Sequence, residues 1–321
     1  MQLGDGRVAV ADEGNSRVAF FAPDGGFVSS TGREGEGPGE FTRVSILERW
    51  VADSLLAWDL VQRRFTVLAP DGTFARNFTF TLTDEVVFAS TRDVFEDGSI
   101  LASGFVDAPD VIETGVGRYP SPYYHFDSEG TLITELGDFV GGETYYLVRG
   151  NGGFTAFEPF FGRRAHHIAA SHLLLAVSDS YELRYHTPDG APQLIVRWLR
   201  PAVAVTSEDV AKATEDFVDN APEERRAEQR AMASDIPVPE TMPAFDRIFV
   251  DRTGRTWVEE YDADEGDPSV WTLFGPDGSL AARTEPPRRF TPLDAGADYV
   301  LGVLRDELDV EHLILARAST P

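Results

Sequence analysis

The chain has 321 residues, 42% of them hydrophobic and 22 of them Phe, which is enough apolar matter for one large all-β domain or two ordinary ones and too much for a disordered chain. The absence of Cys excludes a disulfide framework, a thiolate metal site and a Cys nucleophile, and no apolar run approaches the roughly 18 residues that span a membrane as a helix. A formal charge of −26 argues against nucleic-acid backbones and anionic lipid as partners, because phosphates meet repulsion over most of the surface.

Met1-Gln2-Leu3 leads almost directly into a strand, without the basic, apolar and small-residue succession of a secretory leader. A mature domain has this form, and so does a reading frame cut at its 5′ end. From Gly4 to Phe41 the chain then sets out a pattern that it repeats. An alternating run (Val8, Val10) meets a turn built on Asp12, Gly14 and Asn15. A second run from Arg17 to Phe21 meets Pro23-Asp24-Gly25, and a third run leads to a glycine-rich exit.

The Pro-Asp-Gly turn returns at 70–72, 188–190 and 276–278, with a variant at Asp127-Ser128-Glu129-Gly130. Proline presets φ, Asp bonds its own backbone and Gly takes the positive φ, so each is a hairpin turn with a mechanism. Asp12 precedes Arg17 as Asp59 precedes Arg63 and Arg64, and as Asp179 precedes Arg184. Repeated antiparallel meanders of about four strands are the pattern of propeller blades.

Six units follow: Gly4–Ser30, Phe41–Phe80, Glu85–Leu136, His166–Leu199, Phe245–Thr284, and a last one opening at Arg289-Phe290. The first and last hold about three strands each. Either roughly 30 to 60 upstream residues are missing from the ring, or the short ends share one hybrid blade, since an open ring leaves unpaired edges. The expectation is a single all-β domain over 1–321, a six-bladed β-propeller with one helical insertion near 207–233. In that insertion Ser207 caps the first helix, Val210, Ala213, Phe217 and Val218 form its apolar stripe, and Pro222 opens a second helix. The segments 105–121 and 141–153 stand outside the repeat and are read as functional loops.

The candidate ligand-binding residues are Asp12, Asn15, Arg17, Asp59, Arg64, His166, Asp179, Arg184 and Tyr261. The Asp and Arg residues either ring one mouth of a channel or serve as hydrogen-bonded corners of single blades. His166, His167 and His172 form the group closest to a metal site. On a strand, though, His166 and His167 face opposite ways and cannot chelate together, so no metal ligand is assigned. The acidic link opened by Tyr261 carries Asp262, Asp264, Glu265 and Asp267, carboxylates of the kind that hold Ca²⁺ but without EF-hand spacing. No cofactor is expected, with Ca²⁺ as the alternative. The clusters Tyr123-Tyr124, Tyr145-Tyr146 and 154–161 mark either a partner surface or a buried blade interface.

VADEGNSRVAFFAPDG followed by GREGEGPGEF resembles the NHL-type repeat of bacterial six-bladed propellers, with its Asp-turn-Asn-x-Arg corner, its Asp-Gly turn and its glycine-rich crossing. The tail, DRTGRTWVEEY and DYVLGVLRDELDVEHLILAR, is similar to the closing blades of bacterial envelope propellers of unassigned function. The resemblance implies a periplasmic or extracellular protein whose ligand, a protein or a small molecule, binds at one mouth of the ring. It also includes metal-dependent lactonases and lyases. The lactonase set of Glu, Asn and Asp from separate blades is matched here at most by Asp12 and Asn15, and the lyase histidines, spread over blades, find their counterparts crowded into one. A non-catalytic binding scaffold is therefore the leading expectation. A metal-assisted hydrolase or lyase with its site in the channel is the alternative.

Overall fold

A computed structural model describes residues 1–109, 112–150, 153–261 and 269–317. The chain is all-β and meanders through antiparallel sheets. The first sheet holds β1 (Val8–Asp12), β2 (Arg17–Phe21) and β3 (Phe27–Thr31), and the second β4 (Val44–Arg49), β5 (Leu55–Asp59), β6 (Arg64–Leu68) and β7 (Phe74–Phe78). The third is built from β8 (Ser90–Val94) and β9 (Ile100–Ser103), then, after a short strand β10 (Gly115–Gly117) that leaves the sheet, from β11 (Pro120–Phe126) and β12 (Leu132–Val140). A separate three-stranded sheet joins β10 to β13 (Thr144–Val148) and β14 (Phe154–Phe157).

The meander resumes with β15 (Ala165–Ala169), β16 (Leu173–Val177), β17 (Glu182–His186) and β18 (Pro192–Arg197). Two helices follow, α1 (Ser207–Asp219) and α2 (Arg226–Ala233). Next comes a sheet of β19 (Phe245–Val250), β20 (Thr256–Glu260), β21 (Trp271–Phe274) and β22 (Leu280–Thr284), and then β23 (Phe290–Ala295), β24 (Tyr299–Arg305) and β25 (Glu311–Arg317).

Each meandering sheet buries both faces, one against its predecessor and one against its successor, as period-two alternation of apolar residues requires. Val18 and Phe20 of the first sheet pack with Val44, Leu55 and Leu68 of the second. Trp58 and Phe65 of the second pack with Ile100 and Phe126 of the third. Leu101 and Tyr123 of the third meet Ala169 and Leu173, and Leu183 and Tyr185 meet Phe245 and Val258. Trp257 and Trp271 meet Ala295, and Tyr299 and Leu301 return to Val8 on the first sheet. The cycle of cores therefore closes. The first and last sheets meet face to face rather than sharing a hybrid sheet.

The Pro-Asp-Gly turns add to this stacking. Gly72 has φ +88, and a Cβ there would lie 2.7 Å from the Phe20 ring of the preceding sheet, whereas Gly25, at φ +86, has open space around it. Gly25→Ala is expected to cost about 1 kcal/mol for the positive φ alone. Gly72→Ala is expected to cost about 2–4 kcal/mol because the ring must also move. Urea denaturation of the pair measures the difference, and equal losses would refute turn-on-sheet packing.

The two non-repetitive loops pair with each other. Gly115–Gly117 hydrogen-bonds to the strand Thr144–Val148, so the segments read as separate functional loops form one small sheet. The helical insertion covers it: Phe217 of α1 packs on Phe157 and Phe160, and the Tyr145 hydroxyl donates to Asp235 O at 3.3 Å. Much of the aromatic cluster at 154–161 is thus the core between two insertions rather than a blade interface. Thr206, not Ser207, caps α1. Its hydroxyl accepts the Asp209 N–H while the Asp209 carboxylate accepts the Thr206 N–H, a reciprocal box.

Candidate functional site

The first strand of each sheet from the second onward lies innermost, and with β1 these strands enclose one cavity of about 640 Å³. Its wall is largely apolar, with Ala9, Leu47, Ile168, Ile248, Phe249 and Leu301, and into it project Glu48, Asp93, Asp294 and Arg252. Register shifts aim these groups. The β8–β9 pairing slips between Thr91 and Asp93, and the β23–β24 pairing slips between Pro292 and Asp294. A bulge turns a side chain off the regular pleat, and each Asp follows one directly.

The polar groups are tied down unequally. Asp294 accepts hydrogen bonds from Gln2 N at 2.9 Å and from Tyr299 Oη at 3.2 Å, and forms an ion pair with Arg252 at 3.1 Å. Burial, then the Asp294 charge, push the Tyr299 hydroxyl upward. Arg252 also donates to Gln2 O. Asp93 stitches two sheets together by accepting its neighbour Val94 N at 2.8 Å and Ala169 N at 2.9 Å. Burial pushes its carboxyl up to about 7. Glu48 is different. It is half-buried on the channel wall, and among the described residues no hydrogen bond holds its carboxylate. Burial, reinforced by the Asp93 charge, pushes it up to about 8. Asp251, on the same wall, is spent on structure, accepting from Trp257 Nε1 at 2.8 Å and Arg255 Nε at 2.7 Å.

The residues singled out in the sequence lie toward the opposite end of the strands: Asp12, Asn15 and Arg17 where β1 turns into β2, Asp59 and Arg64 between β5 and β6, Asp179 and Arg184 between β16 and β17, Tyr261 after β20, and His166 near the start of β15. Asp12 accepts Asn15 Nδ2 at 2.9 Å and Arg17 Nε at 2.8 Å, bonds that hold its carboxyl below the usual range. Asp59 is fully buried and accepts the N–H groups of Thr42, Arg43, Val61 and Gln62. Its side chain does not bond that of Arg64, which instead donates to Glu36 O, Gly37 O and Glu40 O, clasping the glycine-rich crossing. Asp179 pairs with Arg118 at 3.3 Å, while Arg184 pairs with Glu182 at 2.5 Å.

His166 packs on Phe245 of the next sheet, whereas His167 meets Tyr123 of the preceding sheet, its Nδ1 2.7 Å from the Tyr123 hydroxyl. They face opposite ways, and burial pushes each down to about 4. His166 and Tyr261 both neighbour Arg164, which ion-pairs with Glu158 at 2.6 Å and with Asp246. These two therefore share a neighbourhood, while Asp12 and Asp59 stay within their own sheets and adjoining links and Asp179 reaches across to Arg118, just before β11. Asp262, Asp264, Glu265 and Asp267 lie outside the described residues. Among the described residues no three His, Asp or Glu side chains gather as a metal-binding group.

Glu48 and Asp93 went unnoticed in the sequence because each is a lone acid in an ordinary strand. The available signal was an acid late in a first strand, at a position the repeat otherwise fills with apolar residues.

No family model and no curated protein matches the chain. Among solved structures it resembles a protein from Bacteroides fragilis described as exported, at 13% identity over 95% of this chain and 78% of that one, with a TM-score of 0.51. A member of the DUF4221 family from Bacteroides vulgatus aligns at 11% identity over 99% and 94%, TM-score 0.48. Virginiamycin B lyase from Staphylococcus aureus aligns at 9% over 94% and 75%, TM-score 0.41. At these identities the likeness concerns the fold, which is β-propeller-like.

Proposed function

We propose that the chain is a six-bladed propeller of the NHL-like type, acting as a non-catalytic binding scaffold of the bacterial cell envelope with its ligand in the central channel. The observation that carries this reading is the cavity itself. Inner strands of all the meandering sheets surround a space of about 640 Å³, within the range of small-molecule sites. Its mostly apolar wall holds a few convergent polar groups, one of them unpaired. Tyr261 and His166, around Arg164 at the far end of the strands, would form part of the rim at the second mouth. The exported description of one structural neighbour agrees with an envelope location.

A thermal-shift screen of a metabolite library against the wild type and Leu293→Trp tests the reading. Leu293 is 55% exposed and lines the channel, so the larger ring narrows the cavity with little cost to the fold. Stabilising compounds are expected to lose their effect in the variant. Hits that persist would place the ligand elsewhere. A second reading has one observation in its favour: two carboxyls with raised values are what general acid–base chemistry uses. Mass spectrometry of each hit after incubation separates the two, since turnover would make the protein an enzyme.

A further inference from the structure

We propose that the channel binds an organic ammonium ion, a primary amine on an apolar chain, with its head between Glu48 and Asp93. This rests on the channel reading above and names the ligand's chemical class. Glu48 is half-buried, lines the cavity and, among the described residues, is held by no hydrogen bond, although carboxylates withdrawn from water are ordinarily partnered. Asp93 uses one bond per oxygen, to Val94 N and Ala169 N, so each oxygen keeps acceptor capacity. The cations on this wall are already engaged: Arg252 with Asp294 and Gln2 O, Arg49 with Gln2 O, and the Met1 amino group with Ala9 O.

A site with two carboxylates, neighbouring cations that already have acceptors, and aliphatic stretches of wall favours a ligand with one compact positive group and an apolar remainder. A divalent metal is a poorer fit, because among the described residues no third acidic or imidazole ligand joins them. An anion is a poorer fit still. An ammonium presents three donors, enough for both carboxylates and one water, while its tail lies along Leu47, Ile168, Ile248 and Phe249.

Binding is linked to protons. The charged groups facing Glu48 are Asp93 on β8, Arg252 in the turn after β19, Asp294 on β23 and the Met1 amino group, with Arg49 and Glu96 on the same wall. Near neutral pH Glu48 is largely protonated, and an arriving ammonium displaces that proton to solvent, leaving the carboxylate as its partner. Affinity therefore rises with pH until Glu48 is ionised in the free protein.

The test is isothermal titration of the full chain with n-hexylammonium chloride, using sodium hexanoate as the control with a comparable tail and the opposite charge. Expected are one-to-one binding, about tenfold tighter at pH 8 than at pH 6, and proton release seen as a dependence of the heat on buffer ionisation. Glu48→Gln is expected to weaken binding about thirtyfold at pH 8 and to flatten its pH dependence. Leu293→Trp should block it as well, which keeps the test sound if Glu48→Gln folds poorly. Absence of binding to folded wild type, unchanged affinity in Glu48→Gln, or equal binding of hexanoate would each overturn the proposal. If hexylammonium fails while other compounds bind and are lost in Leu293→Trp, the channel reading stands and only the ammonium class falls.

Discussion

Replacing Asp59 by Ala is expected to lower the stability of the chain by about 3–5 kcal/mol, far more than Asp12→Ala. Asp59 is fully buried, and its two oxygens accept four backbone N–H groups and the Gln62 side-chain amide. Removing it takes the shared acceptor from all of those part-buried donors at once, and each donor that water cannot reach costs about 1–3 kcal/mol before the structure relaxes. Asp59→Asn does not rescue the site. Both oxygens of the native carboxylate face donors, so whichever way the amide is turned its NH₂ meets N–H groups.

Asp12→Ala removes only side-chain bonds to Asn15 and Arg17 at a corner where Asp12 keeps 25% of its side chain in water, and about 1 kcal/mol or less is expected. Urea titration of the three variants checks the order. A loss under about 1 kcal/mol for Asp59→Ala would mean that its bonds are dispensable, and would revive the view that the Asp corners serve a ligand.

That contrast shows what the amino-acid pattern could convey. Pro-Asp-Gly turns and period-two runs are local, so meandering sheets were legible from residues such as Phe65 and Phe74 on either side of Pro70-Asp71-Gly72. Asp59 and Arg64 were legible as a recurring pair, yet their side chains do not meet, because a spacing of five residues fixes the turn and not the partners. Gly115–Gly117 pairing with Thr144–Val148 is a contact between distant segments with no local signature. Two independent loops were the natural reading. The cap on α1 moved by one residue because Thr206 and Asp209, at N-cap and N3, satisfy each other and outcompete Ser207. Glu48 illustrates the deepest limit: an acid on a strand reads as solvent-facing unless the strand is known to line a channel.

The same residue sets the second large expectation, an alkaline loss of stability. Burial pushes Glu48 and Asp93 up to about 8 and about 7 in the folded chain, against ordinary values of 4.5 and 3.8. Between those limits the folded state holds more protons than the unfolded one, so their contribution is complete at acid pH and is lost as pH rises toward 8. His166 and His167 work in the opposite sense. Their folded values, near 4, lie below 6.5, so their contribution is complete above pH 6.5 and is lost as pH falls toward 4. From about pH 4.5 to 6.5 the two pairs largely offset one another. Above pH 6.5 only the carboxylates act, and at about 1.4 kcal/mol per pH unit for each proton the wild type is expected to lose about 2 kcal/mol between pH 6.5 and 8.5. Glu48→Gln, which cannot ionise, should retain most of that stability at pH 8.5 while differing little from wild type at pH 5. Urea midpoints at the three pH values test it. A wild type that holds steady or gains stability above pH 6.5 would show that Glu48 is ionised and solvated in the channel, and an alkaline loss that survives in Glu48→Gln would assign it to another group.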